Sequence, residues 1–407
     1  MIGIWSFVGG YTLKRKSLKF VAFGIAVLAV AGVIFWNFGG VQKKVVDYWD
    51  QQSSEYTAFT KELTAGTILE KTVVVDSISE DKYAYQCLDK EGRQVYDEIL
   101  NAILNHTEKI TVATLDPDVL KLAFEDVSSD YGGLFWLEGY SYTEYTRNDN
   151  LVSLEFAPKY TMSLKEQKQM QKKIDAAVEE FLSGISPTDS DYTKAKYVFE
   201  KLIEQVDYEK DAENSQNIIS VFINHKTVCQ GYASATQYLL SQLNIPSVIV
   251  TGSANDEAHA WNLIQLDGNY YYMDTTWGNS TYLNEEKEES KFVNYSYFTF
   301  TTDEMLATHA PDDHIDLPEC SSIADNYFVY EGFYFSDWAV DEIGDLYGQA
   351  ATNESHRVAV KFADQDLYDR AKKYFIEQKM LENYCDISGN VYYLEDTDQL
   401  ILTISIK

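Results

Sequence analysis

The chain has 407 residues, with 64 Asp and Glu against 33 Lys and Arg, for a formal net charge of −31. That balance argues against nucleic acid as a partner. The length exceeds one ordinary core and implies two or three domains, while four scattered cysteines, Cys87, Cys229, Cys320 and Cys385, make neither a disulfide framework nor a zinc ribbon.

Residues 1–19 contain Lys14, Arg15, Lys16 and Lys19, and residues 20–38 then run for 19 positions without a charge. That length spans a bilayer. Only Lys43 and Lys44 follow closely, so the basic bias predicts a cytoplasmic N-terminus (1–19), a transmembrane signal anchor (20–38) and the rest of the chain outside the cell. Ala29-Val30-Ala31 offers a rival cleavage site, but the apolar run continues past it through Val33-Ile34-Phe35-Trp36. Residues 39–80 are largely polar and acidic and read as a juxtamembrane stalk.

Residues 81–186 read as an α+β accessory domain. Tyr96, Ile99, Leu100, Ile103 and Leu104 share one face of a helix over 94–104, and residues 134–137, 140–142 and 151–156 are strand-like. Ser163-Leu164-Lys165-Glu166 is a capping box opening a charged helix to about residue 182. Ser186-Pro187-Thr188-Asp189-Ser190 reads as a linker.

The next domain spans 187–318. Ala195, Val198, Leu202, Ile203 and Val206 mark a core helix, followed by a short one over 215–222. Thr227 and Gln230 then have capping-box spacing, which starts a helix at Val228 and puts Cys229 at its second position. Tyr232, Ala235, Leu239 and Leu243 form its apolar stripe, and Asn244-Ile245-Pro246 ends it. At such a position the unsatisfied N–H groups and the helix dipole favour an anion, so the thiol should titrate below its usual value of about 8.5. The same N–H groups would receive an oxyanion, with Asn224 and Gln230 as side-chain candidates for that task.

Two β-prone runs, from Trp261 and from Tyr270, flank Asp267-Gly268-Asn269, a tight-turn signal. A two-residue loop at Asp267-Gly268 would set Trp261 opposite Asp274 and leave His259 on the face of Asp274 as its diagonal neighbour. A thiol, an imidazole and an orienting acid are what a cysteine nucleophile requires. His225, His309 and His314 match no metal-ligand spacing with Cys229, so no metal is expected. Residues 279–290 form a Glu-rich insertion. Beyond 319 a small α+β accessory domain follows, with strands near 357–362, 391–394 and 400–406 and a helix over 365–377. A bridge between Cys320 and Cys385 would lie within or beside it.

Val228-Cys229-Gln230-Gly231-Tyr232-Ala233, His259-Ala260-Trp261-Asn262 and Asp274-Thr275-Thr276-Trp277, spaced 30 and 15 residues apart, resemble the transglutaminase-like superfamily of bacterial surface proteins. The resemblance implies a papain-like core with Cys229 as nucleophile, His259 as base and Asp274 as orienting acid. It is strongest over 190–310. With the flanking regions, the expected fold is an α+β papain-like core between two α+β accessory domains, preceded by one transmembrane helix. Gln230, Trp261 and Trp277 are expected to line the substrate cleft. The implied activity is acyl transfer at the cell surface on peptide or carboxamide bonds of surface or wall-associated proteins, as peptidase, deamidase or transamidase, without a cofactor. The calcium dependence of animal transglutaminases is not carried over. The competing reading is a catalytically silent surface binding or scaffold protein, and an intact thiol at a helix start argues against it.

Overall fold

A computed structural model describes residues 2–5, 56–63, 67, 77–279 and 292–406. The expected membrane span, most of the stalk and nearly all of the acidic insertion lie outside them. Among the described residues, no helix is long and apolar enough to cross a membrane. The architecture is α+β.

In the N-terminal region, the expected separate strands are one hairpin, Leu137–Arg147 with Asn150–Tyr160, and residues 134–136 form the turn leading into it. Asn148 and Asp149 adopt left-handed φ values of 50° and 60°, the backbone that a two-residue turn matched to strand twist demands. Lys90–Leu104 starts four residues before the expected helix because Asp89 caps it, its side chain accepting from Gly92 N. Pro117–Asp130 is a helix that the sequence reading lacks, and Leu164–Phe181 opens on the expected Ser163 capping box.

The second region lays helices Asp191–Gln205 and Cys229–Gln242 against a five-stranded antiparallel sheet. Its strand order is Phe298–Phe300, Asn269–Met273, Glu257–Leu266, Ser247–Ala254, His309–Pro311. Asp267 (φ 46°) and Gly268 (φ 84°) make the two-residue loop, and Asn269 pairs with Leu266 as expected.

The stretch 186–190 is a tight turn, held by Ser186 N donating to Asp189 Oδ2 at 2.8 Å, and the core continues beneath it. Tyr96, Ile99, Ile103, Phe156 and Ile174 belong to the same buried cluster as Phe199, Leu202, Leu239 and Met273. Gln237 stitches the two halves: its Oε1 accepts from Gly132 N and its Nε2 donates to Asp130 O, at 2.9 and 2.7 Å. A separate cluster from Ile343 to Ile406 underlies the C-terminal region. Its sheet runs Ile2–Trp5, Val391–Asp396, Ile401–Ile406, Arg357–Phe362, Tyr334–Phe335. All four cysteines are free, so Cys320 and Cys385 are not bridged.

Candidate active site

The nucleophile helix starts one residue later than its sequence suggests. Thr227 is fully buried and spends its hydroxyl elsewhere, donating to Ser215 O at 2.9 Å and meeting Ser220 Oγ at 2.7 Å. The segment around the π-helical turn Ser220–Asn224 packs against the helix start and outcompetes the helical N–H groups for that oxygen. Gln230 likewise reaches forward to Ser234 Oγ, at 3.3 Å, and not back to a cap. Val228 is therefore the N-cap, without a side-chain cap bond, and half-buried Cys229 is the first helical residue. The N–H groups of this first turn still lack an intrahelical partner beside the sulfur. Gly231 is required by close approach: a Cβ there would lie 1.9 Å from Thr227 Oγ1 and 2.7 Å from Ser215 O.

Small residues bring helix and sheet together. Ala233 packs against Ile249 and Ala260, and Asn262 Nδ2 donates to Ala233 O at 3.0 Å. Tyr232 OH donates to Val206 O at 2.7 Å, and the Thr236 and Thr275 hydroxyls meet at 2.9 Å. The motif residues around the three functional side chains thus fix the strand on the helix, and this sets His259 beside Cys229.

Asp274 leaves the hairpin after Met273 and caps the short helix Thr275–Gly278. Its Oδ1 accepts from the N–H groups of Thr276 and Trp277, at 2.9 and 3.0 Å. Its Oδ2 accepts from His259 Nε2 at 2.7 Å and from His309 Nε2 at 3.1 Å. The carboxylate is fully buried. Burial alone would raise its pKa, but the two imidazoles outweigh burial and hold it far below the ordinary carboxylate range.

Cys229 lies close enough to His259 to favour its charged form alongside Asp274. Because Nε2 serves the carboxylate, Nδ1 is the nitrogen that faces the sulfur. Burial disfavours the imidazolium, yet the charge and hydrogen bond of Asp274, with Cys229 behind them, push its pKa up to about 10. His259 therefore carries its second proton at neutral pH.

Of the other expected site residues, Trp261 and Trp277 are only 1% and 3% exposed, so they do not line a substrate cleft. They wall in the two imidazoles, which keeps water from the pair: His259 lies 6.0 Å from Trp261 and 5.9 Å from Trp277, centroid to centroid. Gln230 is half-buried beside Cys229, with its amide committed to Ser234. Asn224 is exposed and donates to Glu213 O, so neither amide is turned to an oxyanion, and the backbone N–H groups of the helix start are the donors at hand. His309, which the motif spacings do not tie to Cys229, His259 and Asp274, is also brought onto Asp274 Oδ2. His259, Asp274 and His309 place three ligand atoms within 4.8 Å of one another, a spacing that could hold a metal ion, but these atoms already bond each other through Asp274 Oδ2.

Half-buried Cys229 at a helix start, beside the buried His259–Asp274 pair of an antiparallel sheet, is an arrangement of the kind that cysteine nucleophiles use. Residues 179–275 match the family model of the transglutaminase-like superfamily, a stretch that contains all three residues. Among solved structures, the chain is similar to a TGase at 12% identity and a TM-score of 0.26, covering half of each chain. It is also similar to a candidate cysteine protease from Cytophaga hutchinsonii, at 16% identity over 34% of this chain and 62% of that one, with a TM-score of 0.23. A third is the ethylmercury-bound periplasmic domain of TgpA from Pseudomonas aeruginosa, at 13% identity over 31% and 55%, with a TM-score of 0.16. The chain spans half the length of the TGase it matches. No curated protein matches it.

Proposed function

We propose that this protein transfers acyl groups through a thioester on Cys229, acting on carboxamide or peptide bonds of proteins at the cell surface. The observation that carries the reading is the His259–Asp274 pair, bonded at 2.7 Å, beside Cys229 at the start of its helix. An imidazolium beside a sulfur at a helix N-terminus is the setting in which cysteine nucleophiles act. The sulfur attacks the carbonyl carbon and forms a C–S bond, and the oxyanion is received by the N–H groups of the first turn. On collapse the C–N bond breaks, and His259 Nδ1 gives its proton to the departing amine. Water or a second amine then attacks the thioester, loses a proton to His259 and regenerates the thiolate.

The test is release of ammonia or peptide fragments, and incorporation of a labelled primary amine, from a panel of surface proteins and wall peptides. Amine incorporation assigns transamidation, and fragments or ammonia without it assign hydrolysis. Equal behaviour of wild type and Cys229→Ala in both assays would make the surface binding protein the better reading.

Anchoring through residues 20–38 with the remainder outside the cell is part of this proposal, supported by the charge bias around that run. A cytoplasmic N-terminus and the pairing of Ile2–Trp5 with residues 391–394 exclude one another, because the two would lie on opposite sides of the bilayer. Protease added to intact cells tests this: shaving of the domain from a membrane-held stump supports the anchor, release with a new N-terminus at Gly32 supports a cleaved signal peptide, and protection of the whole chain keeps Ile2–Trp5 on the sheet and counts against both.

A further inference from the structure

Asp274 takes four hydrogen bonds, and its two evident tasks account for three. The bonds from Thr276 and Trp277 start a helix, and the bond from His259 orients the base. The fourth comes from His309, on the edge strand His309–Pro311, whose strand neighbour among the described residues is Ser247–Ala254. That strand comes in so closely that a Cβ on Gly252 would sit 2.2 Å from Ala310 O. The His309 side chain is fully buried, with ring centroids of Trp277 and Trp261 at 4.8 and 4.9 Å and those of Phe300 and Tyr297 at 6.1 and 6.3 Å. A phenyl ring would fill such an aromatic box without any polar group to desolvate, whereas an imidazole there must have both nitrogens satisfied. They are: Nε2 lies on the carboxylate, and Nδ1 lies 2.8 Å from Thr308 Oγ1. Since a carboxylate only accepts, Nε2 bears a hydrogen, and the Thr308 hydroxyl serves Nδ1 as donor to a neutral ring or acceptor from a charged one.

We infer that His309 is a positioning residue for the acyl-transfer reaction, holding Asp274 Oδ2 in line with His259 Nε2 and so keeping His259 Nδ1 aimed at Cys229. The inference rests on the proposed role of the Cys229, His259 and Asp274 series. His309 acts through the carboxylate and not on substrate. Without its N–H, one lone pair of a fully buried carboxylate is unpaired, and only His259 restrains Oδ2 in the plane of the relay.

The ionisable groups facing His259 and Asp274 are Cys229 on the helix, His309 on the edge strand and the Tyr297 phenol, behind which stand Asp396 and Asp398 of the C-terminal region. Of these, His309 alone changes when it is replaced, so a change in His259 reports the lost contact of His309 with Asp274.

The test compares His309→Phe, which fills the box without a donor, with His309→Gln, whose amide nitrogen stands in for Nε2. In the purified chain with Cys229→Ala, the His259 titration midpoint is read by nitrogen NMR of 15N-histidine. We expect the Phe variant to lower that midpoint by about one unit or more and the Gln variant to restore most of it. With Cys229 intact, kcat should fall about 10- to 100-fold in the Phe variant while KM stays within about twofold. Should the Phe variant not fold, Thr308→Val frees Nδ1 and loosens the tautomer, and it should lower the midpoint by a smaller amount. An unchanged midpoint accompanied by lost thermal stability would make His309 a packing residue, and a raised midpoint would make it a competitor of His259 for Oδ2. Stoichiometric bound zinc that disappears with His309 would make it a metal ligand. Each of those results overturns the inference. A lowered midpoint in a protein that turns over no substrate would uphold the positioning role and sink the enzymatic reading, so the two failures are distinguishable.

Discussion

Replacing Asp274 with Asn tests the relay at its most constrained point. Oδ1 faces two backbone N–H groups that cannot reverse their polarity, so the amide oxygen must take that place and the NH2 must take the place of Oδ2. Two imidazole nitrogens that were donors then face a donor. His309 can adapt, because moving its hydrogen to Nδ1 only requires the Thr308 hydroxyl to turn and accept. His259 adapts at the cost of its function, since its hydrogen moves to Nδ1, the nitrogen that must accept the thiol proton. The carboxylate charge that overcomes burial is also gone, so His259 becomes neutral at pH 7. A wrong tautomer costs about 10^4 in a serine triad. For this relay we expect kcat to fall about 10^3- to 10^4-fold, or about 4 to 5.5 kcal/mol at 1.36 kcal/mol per tenfold. Asn caps helices as well as Asp, so the melting temperature should move by only a few degrees. Stability should respond to pH as well. His259 binds its second proton more tightly folded than unfolded, so its contribution is complete below about pH 6.5 and is lost as pH rises through about 10. The difference in urea midpoint between wild type and Asp274→Asn should therefore shrink between pH 7 and pH 10. The assays are amine incorporation and fragment release alongside a thermal melt, and a folded Asp274→Asn protein within about tenfold of wild-type turnover would refute the reasoning.

Iodoacetamide at pH 6 to 7 should label Cys229 first, because burial pushes up the thiols of Cys87, Cys385 and Cys320, the last to about 11. Mass spectrometry showing equal labelling of the accessible cysteines would count against a special Cys229. Both oxygens of Asp126 are buried without a partner, and burial, with Asp130 and Glu125 nearby, raises its pKa to about 8. The folded chain therefore holds a proton that the unfolded chain releases between about pH 4 and 8, and stability falls with rising pH across that window. Asp126→Asn should recover on the order of 2 to 4 kcal/mol at pH 8 and almost nothing at pH 4, as read from urea unfolding at the two pH values. Gly231→Ala should cost about 1 to 3 kcal/mol through overpacking and slow the alkylation of Cys229, because the Cβ meets backbone at Ser215 that cannot yield. Unchanged melting and labelling would contradict that reading.

The hairpin was legible because turn chemistry fixes register: Asp267-Gly268 sets Leu266 against Asn269, and the diagonal from His259 to Asp274 follows by counting. The capping box at Ser163 was legible for the same local reason, whereas that at Thr227 was not, because its hydroxyl is claimed by Ser215, twelve residues upstream. Asp116-Pro117 did signal a helix start, but only weakly. His309 could not be tied to Asp274 by spacing: it reaches the carboxylate from an edge strand placed by the short helix Thr302–Leu306, and a lone His carries no periodicity. Trp261 and Trp277 look alike in sequence whether they face a cleft or a core, and only the packing of His309 between them and Phe300 decides it.

The buried cluster that runs from Tyr85 to Phe298 has a consequence for how this protein can be cut and inherited. A fragment beginning at residue 187 would keep Cys229, His259 and Asp274 but lose the faces of Ile99, Ile103 and Ile174, leaving an oily wound where Gln237 also loses Asp130 and Gly132. Such a fragment should bind hydrophobic dyes and clump, while one beginning near residue 77 should behave as a monodisperse particle. A recombination event that moved the catalytic segment alone into another gene would carry the chemistry without the shelf it stands on, so the transferable cassette is both regions together.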